Sequence, residues 1–225
     1  MGFSGTGSRR ARFDGMADPS ARNLSAGIAG LAGVALNVVA VAALRPVPHA
    51  YRPGDLDAWL AEARAVPGRV EISGWAFTLG LAGLATWAVG LAQTMPAESR
   101  SGARSGASLV AFGALLDAAG TLLPVAALST DDATGKALLQ ASLLLDASFN
   151  GLLGAGLLTL GLSAGAKSSW PRRLRTLAVA AGVASLPVAL QARSDTAARL
   201  LLLAGPLWLS FVTWTSIRML RGREG

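Results

Sequence analysis

Six apolar runs, at about 25–44, 74–94, 107–128, 137–163, 176–192 and 197–217, leave this chain few ways to fold. Most approach the roughly 20 residues that an α-helix needs to cross the hydrocarbon core of a bilayer. Lipid offers no partners to backbone N–H and C=O groups, so a spanning segment must pair them internally, as a helix does. The expected fold class is therefore all-α: a polytopic six-transmembrane-helix bundle over 25–220, between a basic tail at 1–24 and a short C-terminus at 221–225. The fifth run is the shortest, because Pro187 interrupts it and Gln191 and Arg193 close it. Composition agrees: 52% of residues are hydrophobic, 15% are charged and the mean hydropathy is +0.47, a surplus of apolar surface that a soluble domain of 225 residues would not carry.

The net charge of +7 raises the question of a nucleic-acid partner, and its distribution along the chain argues against one. With six spans, the tail, the second and fourth connections and the C-terminus share one side, where 13 basic residues meet 4 acidic ones. The opposite side carries 7 of each, and the two remaining acids, Asp117 and Asp146, lie within spans. This is the positive-inside pattern. It places both termini in the cytoplasm and makes anionic lipids at that face an expected partner. Arg-rich, Lys-poor and Ala-rich usage points to a bacterial cytoplasmic (inner) membrane.

Several chemistries are absent from the residue inventory. There is no cysteine, which removes thiolate metal sites, iron–sulfur clusters and thiol catalysis. His49 is the single histidine and lies between spans one and two, so a haem or His-based zinc site has no basis. The only lysines, Lys136 and Lys167, flank the fourth span. No nucleophile–base pair stands near either membrane surface, which disfavours an enzyme, and neither cofactor nor metal is expected.

Residues 1–24 are rich in Gly, Ser and Arg without apolar period, and SRRARF within them resembles a twin-arginine signal, though no cleavage site follows. The connection at 45–73 begins RPVPHAYRPGD, whose prolines favour an extended chain. Beyond it Leu56, Trp59, Leu60 and Ala63 recur at i, i+3, i+4 and i+7, predicting a short amphipathic helix at the outer surface. Such a helix either covers a cavity as a lid or rests among headgroups with Trp59 as its anchor. GIAGLAG at 27–33, GLAG at 80–83 and GLLGAG at 151–156 set small residues at helical spacing, which lets backbones approach closely.

The segment LLDA occurs twice, at 115–118 in the third run and at 144–147 in the fourth. Short loops make these runs an antiparallel hairpin, and counting at 1.5 Å per residue sets Asp117 about 15 Å from the inner end of its run and Asp146 about 14 Å from the outer end of the next. Both acids are expected near the midplane and at one depth. Each has a polar companion one turn on, Thr121 after Asp117 and Asn150 after Asp146, giving D-x-x-x-[TN] on two antiparallel helices. Such an inverted polar cluster resembles the midplane sites of transporters built from inverted repeats. A central Asp costs about 2.5–3.5 kcal/mol on insertion scales, and no Lys, Arg or His lies at that depth to pair with either. The two can share a proton, hold a cation, or hydrogen-bond to Asn150, Thr121 and backbone as a packing device. Pro124 is expected to free the carbonyl of Gly120 beside Asp117, and Asn37 in the first run is a third buried polar group that either joins the cluster or bonds between helices.

PGDLDAWLAEARAVPGRVEISGWAFTLGLAGL and WPRRLRTLAVAAGVASLPVAL, with the outer loop and its short helix, resemble the uncharacterised bacterial multispan membrane proteins known as domains of unknown function. The resemblance implies layout and membrane location and carries no activity. The expected function is movement of a small solute, proton or cation through a site built on Asp117 and Asp146, with Asn150, Thr121 and Asn37 as further binding candidates. Its rival is a membrane scaffold or accessory subunit, joined to another membrane protein or to further copies of itself, in which the same residues lock spans three and four together.

Overall fold

The computed structural model of the protein describes residues 19–45, 47, 52–165 and 170–221. The tail up to residue 18, His49 and Lys167 lie outside these residues. Among the described residues every regular element is helical, and six helical stretches are long and apolar enough to cross a membrane. The chain is a multi-pass membrane protein.

The helices extend past the apolar runs wherever a starting signal allows. Helix α1 (Pro19–Ala43) begins ahead of the apolar run at 25, with proline at its first position, where the missing N–H is not needed. The amphipathic stripe forms α2 (Leu56–Ala65), and Leu56, Trp59, Leu60 and Ala63 are its buried residues. After Val66, α3 (Pro67–Gln93) again opens on proline. The third run is broken into α4 (Arg100–Gly120) and the single turn α5 (Leu123–Ala127), with Pro124 in the first turn of α5. Pro124 has no N–H for the Gly120 carbonyl, and the regular helix stops at that glycine. α6 (Asp132–Ser163) is the longest element, and its N-cap Asp131 accepts bonds from the Thr134 N–H at 3.0 Å and hydroxyl at 2.7 Å.

The fifth span, Arg172–Leu190, is α7 (Arg172–Ser185) followed by a tighter 3-10 segment, Leu186–Leu190, with Pro187 in its first turn. The chain then turns back through α8 (Asp195–Arg199), and Leu200 alone separates this from α9 (Leu201–Leu220).

The six spans pack in chain order as a closed ring: α1 against α3, α3 against α4, α4 against α6, α6 against α7, α7 against α9, and α9 back against α1. Small residues set the close seams. A Cβ on Gly83 would lie 2.6 Å from the Ala29 carbonyl oxygen, and one on Gly106 2.7 Å from that of Gly156. The same holds between α6 and α7, where Gly154 and Gly182 face each other's carbonyls at 2.9 and 2.8 Å. The glycine-rich stretches of the sequence are thus the lines along which backbones meet.

Two apolar clusters fill the ring. Toward the end that carries the termini, Trp87, Phe211 and Trp170 form a plug, with Trp87 and Trp170 edge-on to Phe211 at centroid distances of 5.8 and 5.6 Å. The Trp87 Nε1–H donates to Thr215 Oγ1 at 3.0 Å, which satisfies the only polar atom of that ring. At the far end, α2 lays its stripe against Val70, Ala127, Leu139 and Leu143. Ion pairs at 2.5 Å, Arg64 with Asp132 and Lys136 with Asp57, tie α2 to the start of α6.

Candidate functional site

Between the plug and α2 the ring encloses a cavity of about 440 Å³. Its polar lining is Asn37 from α1, Ser73 from α3, Asp117 from α4, Thr121 just after it, Ser142, Asp146 and Asn150 from α6, and Gln191 after span five. Aromatic and aliphatic faces of Trp59, Phe77, Leu81, Phe149 and Trp208 make up most of the rest. The mouth is marked by Arg52, Asp195 and Arg199 and by Leu201 and Leu202, the last 77% exposed.

Both LLDA acids line this cavity, and the repeat is laid out alike in its two copies. Leu115 and Leu144 face outward from the bundle while Asp117 and Asp146 face the interior. The end of α4 packs against the second repeat: a methyl built on Gly120 would stand 2.9 Å from the Leu145 Cβ.

Their partners differ. Asn150, one turn along α6, donates from Nδ2 to the Asp146 backbone oxygen and to Oδ1, both at 2.9 Å. Gln191 Nε2 donates to the other carboxylate oxygen, Oδ2, at 2.5 Å. Asp117 is 6% exposed, and among the described residues its carboxylate accepts no hydrogen bond. Thr121 does not serve it. Its backbone is still helical, with its N–H on the Asp117 backbone oxygen at 2.8 Å, but its short side chain bonds back to the Ala118 oxygen at 3.0 Å and across to the Thr78 hydroxyl of α3 at 2.8 Å. Asn37 spends an N–H on the Gly33 oxygen one turn back, at 2.8 Å, and reaches the cavity without joining the two acids in a hydrogen bond.

Gln191 is the residue that sequence reasoning left out of the site. It stands as the closing residue of a short span, yet it meets Asp146 at the middle of α6. Proline at 187 ends the helix early, and the tight turn that follows delivers residue 191 to the bundle interior instead of to the surface. A polar residue directly after a proline-shortened span was the available signal. Trp59 also departs from the headgroup-anchor expectation: it is 2% exposed and faces the cavity, because α2 turns its apolar stripe inward.

The charges at the mouth are paired. Arg52 bonds Asp55 at 2.5 Å and lies 3.9 Å from Asp195, which holds its guanidinium protonated more firmly than usual and links the loop before α2 to α8. The site therefore offers buried acceptors at its base, apolar and aromatic walls, and an ionic rim. Among the described residues no three of its Asp, Glu or His side chains converge as metal ligands. No family model, curated protein or solved structure matches the chain, so its function rests on the chemistry of this cavity.

Proposed function

We propose that this protein lies in a bacterial inner membrane with both termini cytoplasmic, and that it moves a small solute or cation in exchange for protons through a site built on Asp117 and Asp146. The observation that carries this reading is the cavity itself: its lining runs from Arg52, Asp195 and Arg199 to both acids and includes none of Trp87, Phe211 and Trp170, which pack against one another. A pathway open on one side and closed on the other is what one state of an alternating-access carrier requires. Among the described residues lining the cavity the only basic ones are Arg52 and Arg199, at its mouth, where Arg52 lies 3.9 Å from Asp195 at the start of α8. The arginines at the start of α7, Arg172, Arg173 and Arg175, support contact with anionic lipid at the cytoplasmic face.

A second reading draws on Asp146. Its carboxylate is held by Asn150 and Gln191, as a device joining α6 to the end of span five would be. In that reading the protein is a scaffold and the cavity is incidental.

The test is proton movement in proteoliposomes holding a lumenal pH indicator, challenged in turn with sodium, potassium, quaternary and primary ammonium ions and neutral sugars. A carrier shows a proton flux driven by one class of solute, and Asp117→Asn with Asp146→Asn abolishes it. Traces from parent and double variant that coincide for every solute leave the scaffold reading in place.

A further inference from the structure

The balance of donors and acceptors at the base of the cavity specifies its occupant. Asn150 is 1% exposed, and both contacts of its Nδ2 are to oxygens of Asp146, so the orientation of its amide is fixed. That leaves Asn150 Oδ1 buried without a donor. Gln191 has committed its NH2 group to Asp146, and Asp117 beside them receives nothing among the described residues. What remains is two acceptors without a donor: the Asp117 carboxylate, on the cavity lining, and Asn150 Oδ1, which is fully covered and so carries an uncompensated loss of hydration.

The cavity's size and walls narrow the choice further. At about 440 Å³ it lies within the roughly 300–1,000 Å³ of small-molecule sites and far exceeds what a bare cation needs. Trp59, Phe77, Phe149 and Trp208 offer flat apolar faces that cover a hydrocarbon body and attract a cation. An anion would have to settle against Asp117 and Asp146 with no positive side chain at their depth. The arginines at the mouth are exposed or already paired, and solvent screens them more than it screens the buried acids.

We propose that the ligand of this cavity is a protonated primary or secondary amine on an apolar body, its N–H groups donated to the Asp117 carboxylate and Asn150 Oδ1 and its body packed on the aromatic walls. The exposed Leu201 and Leu202 at the mouth give such an amphipathic molecule a route from the bilayer as well as from water. The assignment rests on the site of the carrier reading and not on transport itself.

Calorimetric titration of the purified full-length chain in detergent with 2-phenylethylammonium tests it. Saturable binding is expected, with 2-phenylethanol, of similar shape but uncharged, binding at least tenfold more weakly and sodium failing to displace the amine. Asp117→Asn and Asn150→Leu should each weaken the amine tenfold or more, while Thr86→Ala, on the exposed face of α3, should not. Equal binding of alcohol and amine by the parent protein overturns the proposal without reference to any variant, as does competition by sodium. Amine that binds but does not cross proteoliposomes overturns the carrier reading alone. Proton flux that needs both acids in a protein that binds no amine overturns the ligand class alone.

Discussion

Two copies of the same four residues end in different chemical circumstances, and the residue that follows each by one turn contributes to the difference. Both followers stand on helical backbone, but the longer amide of Asn150 reaches back to its acid while the Thr121 hydroxyl bonds Ala118 and Thr78 instead. The acids and their common face were legible in the sequence because helical spacing alone sets them. Their partners were not, since a hydroxyl on the neighbouring α3 and a proline-shortened span, each a tertiary outcome, determine what Thr121 and Gln191 bond. Caps are easier to read, and Asp131 gives a clean test. The Thr134 N–H and hydroxyl hold its carboxyl below the usual carboxylate range, because both donors favour the charged form. A folded value below the unfolded one adds stability above the ordinary carboxyl range, and that contribution is lost as pH falls through the lowered value. Asp131→Ala should therefore melt earlier than the parent protein at neutral pH in detergent, followed by circular dichroism, and the two should converge in strong acid.

Among the elements, long apolar runs translate into helices with little ambiguity, since lipid permits nothing else, while their ends and interruptions depend on prolines whose effects vary with place. Pro67 opens a helix, Pro124 divides one, Pro187 tightens one and Pro206 lies inside α9. The short amphipathic helix was evident from its four-residue stripe, but the stripe does not say whether it meets lipid or protein; the burial of Trp59 does. The glycine seams make a sharper statement. Gly106→Ala sets a methyl 2.7 Å from a backbone oxygen of α6, which cannot rotate away, and α4 and α6 must part. Overpacking of this kind costs about 1–3 kcal/mol, read as a lower midpoint of denaturation. Gly205→Ala, where the added methyl meets nothing within 4 Å, should be neutral or stabilising, since alanine is favoured over glycine in a helix by about 0.5–1 kcal/mol.

For the whole molecule, the proposed carrier makes the cavity half of the ring accessible from the face away from the termini and the half packed by Trp87, Phe211 and Trp170 a barrier. The chain has no cysteine of its own, so a single introduced thiol reports on that asymmetry without background. Ser73→Cys, buried on the cavity wall, should react with a membrane-impermeant maleimide added to the face away from the termini and resist the same reagent from the other. Labelling from the terminal face at an equal rate would show the plug to be no barrier. The order of the helices around the ring bears on biogenesis as well. α9 follows the other five spans in the chain, and its docking against α7 and α1 closes the circle. Without it the cavity over Asp117 and Asn150 lacks the wall that Leu201, Leu202 and Trp208 provide. The last twenty or so residues of the bundle thus take a polar floor out of lipid, and a nascent chain cut short before them presents the exposed intramembrane polarity that marks a protein for removal.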